Sequence, residues 1–115
     1  MPNSIKITTE TASLLFDCLS SPVRLSVFQT LTRVGSEGMV AGELAKRLDI
    51  APNNLSFHLK ILSMSQLVCS KQEGRFMRYY ANLPLMMALT AFLSEQCCVE
   101  SMGEDCAPSA KGGCC

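Results

Sequence analysis

Two short amphipathic segments that meet across a proline constrain this chain more than any other feature. Residues 40–48 place Leu44, Ala45 and Leu48 on one helical face. Asp49-Ile50-Ala51-Pro52 then breaks the period. Proline has no amide hydrogen and disfavours helix in the residue before it, yet its fixed φ suits the first position of a new helix. From Pro52 to about residue 65 the spacing predicts a second helix, with Leu55, Leu59 and Leu62 inward. Asn53, Asn54, Ser56, Phe57 and Lys60 are left outward. Two helices joined by so tight a turn cross each other as a helix-turn-helix.

The flanking segments supply the rest of a small domain. A first helix begins at Thr8 or Thr9 and gathers Leu15, Cys18 and Leu19 on one face. Ser20-Ser21-Pro22 offers a cap and a first-turn proline for a second helix. Val23, Val27, Leu31 and Val34 form its stripe, Leu25 and Phe28 widen it, and it should end near Gly35 or Gly38. Beyond Gln66 the runs 67–71 and 75–81, separated by Gln72-Glu73-Gly74, read as a β-hairpin. A last helix starts at Asn82-Leu83-Pro84 and carries Leu85, Met86, Leu89, Phe92 and Leu93 to about Cys97. Its apolar residues cover more than one face, which predicts packing on a partner as well as on the core. The fold class expected is mainly α with a β-hairpin wing, a winged helix-turn-helix spanning residues 1–98. Residues 99–115, with Gly103, Pro108, Gly112 and Gly113, read as a cysteine-containing tail.

In such a fold the helix after the turn lies in the major groove of DNA, where Asn bonds bidentately to adenine and Ser to either base pair. Arg75 and Arg78 beside the hairpin tip would meet phosphates or the minor groove. The formal net charge of zero argues against this only until the charges are placed. Residues 46–82 hold Lys46, Arg47, Lys60, Lys71, Arg75 and Arg78 against Asp49 and Glu73. Residues 83–115 hold Lys111 against Glu95, Glu100, Glu104 and Asp105. The basic segment therefore coincides with the expected reading head.

Seven cysteines, five of them in the last nineteen residues, do not make the even framework of a secreted scaffold. The start of the chain carries no export signal pattern, and the longest apolar stretch, 83–93, is too short to span a bilayer. A cytoplasmic protein without a membrane partner is expected. There thiols stay reduced, so the cluster points to metal binding or redox sensing. Cys18 on an apolar helix face and Cys69, alternating inward with Leu67, read as packing residues. Cys97, Cys98 and Cys106 are the candidate ligands: an adjacent pair at a helix end, and a third sulfur reached through a loop containing Gly103. Three thiolates without nitrogen suit a soft, thiophilic centre. Cys114 and Cys115 could add a second thiol pair. Nothing resembles a phosphate loop or a nucleophile motif, so no enzyme is expected.

The run from Leu44 to Leu62, followed by Leu67-Val68, Glu73-Gly74-Arg75 and Tyr79-Tyr80, resembles the ArsR/SmtB family of metal-responsive repressors. The Ser21-Pro22-Val23-Arg24-Leu25 run and the Ser-x-His-Leu core at 56–59 carry the likeness further, and it covers about residues 12–96. The resemblance implies a homodimer, paired through the first and last helices, that holds double-stranded operator DNA until an inducer releases it. His58 then either contacts DNA or, half-buried, orients the helix. Two departures stand out. Asp49 occupies a position often held by glycine, and Ala51 one often held by a capping serine.

Within the family, the Cys-x-Cys sensor of the third helix has no counterpart at Val40-Ala41-Gly42-Glu43-Leu44, and a single histidine excludes a nitrogen-rich site on the last helix. One subgroup carries a Cys-Cys…Cys arsenic site at the end of that helix, with a slightly shorter loop than the one here. The expectation is an arsenite-responsive repressor with As(III) as inducer and no prosthetic group. Antimonite, methylated arsenite and cadmium remain alternative inducers. The rival readings are a thiol-based redox-sensing repressor and a cytosolic thiol-rich metal buffer.

Overall fold

The computed structural model describes residues 6–95 and Cys97. Among them, helices α1 (Thr9–Cys18), α2 (Pro22–Val34), α3 (Ala41–Leu48), α4 (Pro52–Met64) and α5 (Leu83–Ser94) surround a sheet of β1 (Met39–Val40), β2 (Val68–Glu73) and β3 (Phe76–Ala81). The winged helix-turn-helix expected from the sequence is the fold observed.

Local chemistry sets the helix starts. Thr8 caps α1 by accepting from the Thr11 amide, Ser21 caps α2 through the Arg24 amide, and Asn82 caps α5 through the Leu85 amide. Prolines occupy the first turns of α2, α4 and α5, where a missing N–H costs nothing. Helix α4 has no side-chain cap, because Ala51 has nothing to offer.

Both helices of the helix-turn-helix end in the same way. The Ile50 amide donates to the Ala45 carbonyl and the Asp49 amide to that of Lys46. At the end of α4 the Leu67 amide donates to Leu62 and the Gln66 amide to Ser63. These are Schellman closures, which need a left-handed residue, and here Asp49 (φ 56°) and Gln66 (φ 70°) supply it in place of glycine. Each closure turns the following apolar residue, Ile50 or Leu67, back against the core.

Leu31, Leu44, Leu55, Leu59, Leu62 and Leu67 are the centre of the core, together with Val27. They come from α2, α3, α4 and the approach to β2, so the turn between α3 and α4 is clamped from below. Four expectations need correction. Leu25 does not widen the α2 stripe and stays exposed. Cys69 is exposed rather than inward: β2 begins at buried Val68, and every residue of the strand after it is exposed. The first strand runs on to Glu73 rather than ending at residue 71, and the second begins at Phe76 rather than at 75, leaving a two-residue turn, Gly74-Arg75. Only Gly74 has positive φ there, the mark of a type II′ turn, whose twist matches the strands. A third strand, β1, had no sequence signal. It pairs antiparallel with β3, Met39 opposite Tyr79 and Val40 opposite Arg78, and gives the order β1-β3-β2.

Candidate nucleic-acid interface

The inward leucines of α4 leave a continuous outward stripe. Asn53, Phe57, Lys60 and Met64 recur at helical spacing on the side opposite Leu55, Leu59 and Leu62, and all four are exposed. Asn54 and Ser56 flank the stripe and are exposed too. The structure thus brings five of the candidate reading residues onto one accessible face. Phe57 is the apolar exception among them, 59% exposed.

His58 sits differently. It is half-buried and turned toward α2, where Arg24 Nη1 lies 3.3 Å from its Nδ1. A guanidinium can only donate, so in this contact Nδ1 is the acceptor. Arg24 is itself held by donating from Nε to the Cys18 carbonyl at 2.7 Å, at the end of α1. The Phe57 ring meets His58 edge to face, with centroids 5.6 Å apart and planes at 67°. A chain of contacts therefore runs from α1 through Arg24 and His58 to the exposed ring. Arg24 was not among the residues singled out from sequence. The sequence marked it only as a member of the run 21–25, with no role attached.

Cys18 is buried, as expected, with its Sγ 3.5 Å from Ser65 Oγ and 3.9 Å from the Ile61 carbonyl. It packs α1 against the last turn of α4.

The wing presents its two arginines unequally. Arg75 is at the tip and exposed. Arg78 lies lower on β3, donating from Nε to Glu73 Oε1 at 3.0 Å and from Nη1 to the Glu37 carbonyl at 3.0 Å. The hydrogen bond to the Glu73 carboxylate, reinforced by its charge, pushes the guanidinium further above its already high range. Arg78 therefore ties the wing to the turn before β1 as well as offering charge. Its cross-strand neighbour is Lys71, so two cations face each other near the middle of the hairpin. Lys46 and Arg47 add exposed charge at the end of α3, with Arg47 only loosely paired to Glu43 at 3.8 Å.

Of the candidate thiol ligands, Cys97 is exposed just past the end of α5, its amide donating to the Ser94 carbonyl at 3.0 Å. Cys98 and Cys106 lie outside the described residues. Among the described residues no group of three or more His, Cys, Asp or Glu side chains could hold a metal ion. No helix among them is long and apolar enough to cross a membrane.

The geometry has close counterparts among known proteins. Residues 19–68 match the helix-turn-helix domain family. An ArsR-like transcriptional regulator from Rhodococcus sp. RHA1 superposes with a TM-score of 0.66 at 27% identity, covering 80% of this chain and 83% of that one. The ArsR family transcriptional regulator RHA00566 gives 0.69 at 24% identity, over 85% and 98%. The transcriptional repressor BigR from Xylella fastidiosa gives 0.60 at 27% identity, over 76% and 88%. No curated protein sequence matches the chain. With a helix-turn-helix domain at 19–68 and the winged fold of ArsR-type transcriptional regulators around it, the chain has the architecture of a DNA-binding regulator and not that of an enzyme.

Proposed function

We propose that this protein is a cytoplasmic, arsenite-responsive transcriptional repressor that binds operator DNA as a homodimer and leaves it when As(III) binds cysteine thiolates. The observation that carries the reading is the exposed stripe of α4, flanked by a basic wing, in a chain whose cysteines cluster just past α5. Asn53, Asn54, Ser56, Phe57 and Lys60 would enter the major groove, with Arg75 and Arg78 on the adjacent backbone. His58 would keep the helix in orientation through Arg24.

Pairing of two copies is supported by what α1 and α5 leave uncovered. Leu14 and Phe16 on α1 and Met87 and Leu93 on α5 are exposed apolar side chains on the two elements that the family resemblance assigns to the dimer. A twofold dimer would place the two α4 helices in successive major grooves, about 34 Å apart on an inverted repeat.

The inducer reading rests on the donor set. Cys97 and Cys98, which follow α5 in the sequence, with Cys106 as third ligand, offer sulfur alone, and trivalent arsenic favours three sulfurs. Ligation would draw the tail residues 99–115 onto the end of α5, next to the proposed dimer seam. The spacing of the two reading helices would change with it. Coupling of this kind is reciprocal, so DNA would weaken As(III) binding by the same factor.

Fluorescence anisotropy of a duplex carrying the DNA upstream of the protein's own gene tests the reading. Arsenite should release the wild type, whereas Cys97→Ser or Cys98→Ser should bind the same duplex and no longer respond. Release unchanged in both variants would refute the site. Release by peroxide and not by arsenite would favour the redox reading, and absence of specific DNA binding would favour the metal buffer. Antimonite and methylated arsenite titrations on Cys106→Ser would show whether two sulfurs suffice.

A further inference from the structure

Phe57 is hard to account for as part of the fold. Its ring is 59% exposed and belongs to none of the buried residues or those packed against them. It sits at the middle of the outward stripe of α4, four residues after Asn53 and three before Lys60. All of its neighbours on that face that precede the last turn, Asn53, Asn54, Ser56 and Lys60, carry hydrogen-bonding groups, whereas a phenyl ring has none. A surface built only to hold phosphates would gain nothing from a ring at its centre.

The ring is also partly fixed. Its edge-to-face contact with His58 restricts the arc it can sweep, and His58 is in turn held by Arg24, which is anchored on the Cys18 carbonyl. A side chain already limited in its rotamers loses less entropy when it is buried at an interface.

The major groove offers one apolar group to such a ring. Guanine, cytosine and adenine present donors and acceptors there, and only thymine adds a methyl group at C5. Pressing a phenyl ring on any other base edge strips water from polar atoms without replacing their hydrogen bonds. From the placement of Phe57 we infer that it is a specificity-determining residue that reads a thymine through its 5-methyl group, in each half of the operator. The inference deepens the DNA-reading function proposed above and rests on it.

Deoxyuridine isolates the methyl group, since it pairs as thymine does and lacks only that carbon. Duplexes selected by the full-length protein from a randomised library supply the probe, and each thymine is then replaced in turn by deoxyuridine. One buried methyl is worth about 0.8 kcal/mol, so one replacement should weaken wild-type binding by about fourfold. Replacing the symmetry-related pair should weaken it by about fifteenfold, the square of that factor. Phe57→Ala should bind the thymine and deoxyuridine duplexes alike, while Phe57→Leu, which keeps an apolar tip, should retain part of the difference. Because Phe57 is not in the core, a thermal melt of Phe57→Ala should match the wild type.

If no thymine in the selected site is sensitive to deoxyuridine, the assignment is overturned. It is equally overturned if the sensitivity persists undiminished in Phe57→Ala, since another residue would then contact the methyl. If the library yields no preferred duplex at all, the DNA-reading function itself fails and the assignment with it. That outcome is distinct from a preferred duplex that ignores the methyl groups.

Discussion

Replacing Gly38 by alanine should be among the most damaging single-methyl changes available to this protein, and the structure separates the cost into two parts. Gly38 has φ 60° and ψ −169°, a region essentially confined to glycine, where another residue costs about 1–3 kcal/mol. A Cβ there would also stand 2.6 Å from the Tyr79 carbonyl oxygen and 2.7 Å from the Tyr80 ring. One of these atoms is backbone of β3, so the strand must move, and overpacking of this kind typically adds about 1–3 kcal/mol. Gly35 provides the control, having φ 60° and ψ −133° but nothing within 4 Å of its would-be Cβ. Alanine narrows the unfolded ensemble at both sites, offsetting about 0.4–1 kcal/mol in each. Gly38→Ala should therefore lose about 1–3 kcal/mol more than Gly35→Ala, a large share of the roughly 5–15 kcal/mol that holds a small domain together. Urea denaturation followed by far-UV circular dichroism, at one fixed protomer concentration, measures both. Losses that agree within about 0.5 kcal/mol would show that β3 gives way freely and that the seam with β1 is not tight.

Two further outcomes are expected. Asp49→Gly should stabilise the protein by about 0.5–1 kcal/mol, because the left-handed Schellman position at the end of α3 strains an aspartate, and unchanged or lower stability in urea would refute that account. Glu73→Gln should leave Arg78 without its carboxylate partner and remove a negative charge from the wing. Operator affinity should rise a few-fold and the slope of log K against log salt should steepen by about one per protomer, whereas an unchanged slope would place Arg78 off the DNA.

The helices were legible in the sequence because each announces itself locally. Leu55, Leu59 and Leu62 fix the inner face of α4 whatever they pack against, and Pro52 fixes its start. The exposed half of the candidate site followed from the same periodicity, since residues not needed by the core are left for a partner. What escaped was non-local or too short. Two residues, Met39 and Val40, cannot show a period of two, so β1 had no pattern to read. Cys69 was misplaced because Leu67 is buried by the closure at the end of α4 and not by strand alternation, and beyond Val68 the strand buries no further residue. The Arg24–His58 contact joins residues 34 apart, and no spacing rule connects them. Likewise Arg78 reads as a free wing cation until its bonds to Glu73 and to the Glu37 carbonyl are seen.

The pairing of β1 with β3 has a consequence for how far this protein could be altered. Val40 is at once a partner of Arg78 in the sheet and the residue that leads into α3, so the root of the hairpin and the entrance to the helix-turn-helix are one stretch of backbone. The tip at Gly74-Arg75 makes no such connection. Evolution or an engineer can therefore lengthen, recharge or label the tip and change the protein's reach along DNA while leaving the reading helix where it is. An insertion between Glu37 and Val40 would do the reverse, keeping every DNA-facing side chain but letting the two halves of the grip drift apart.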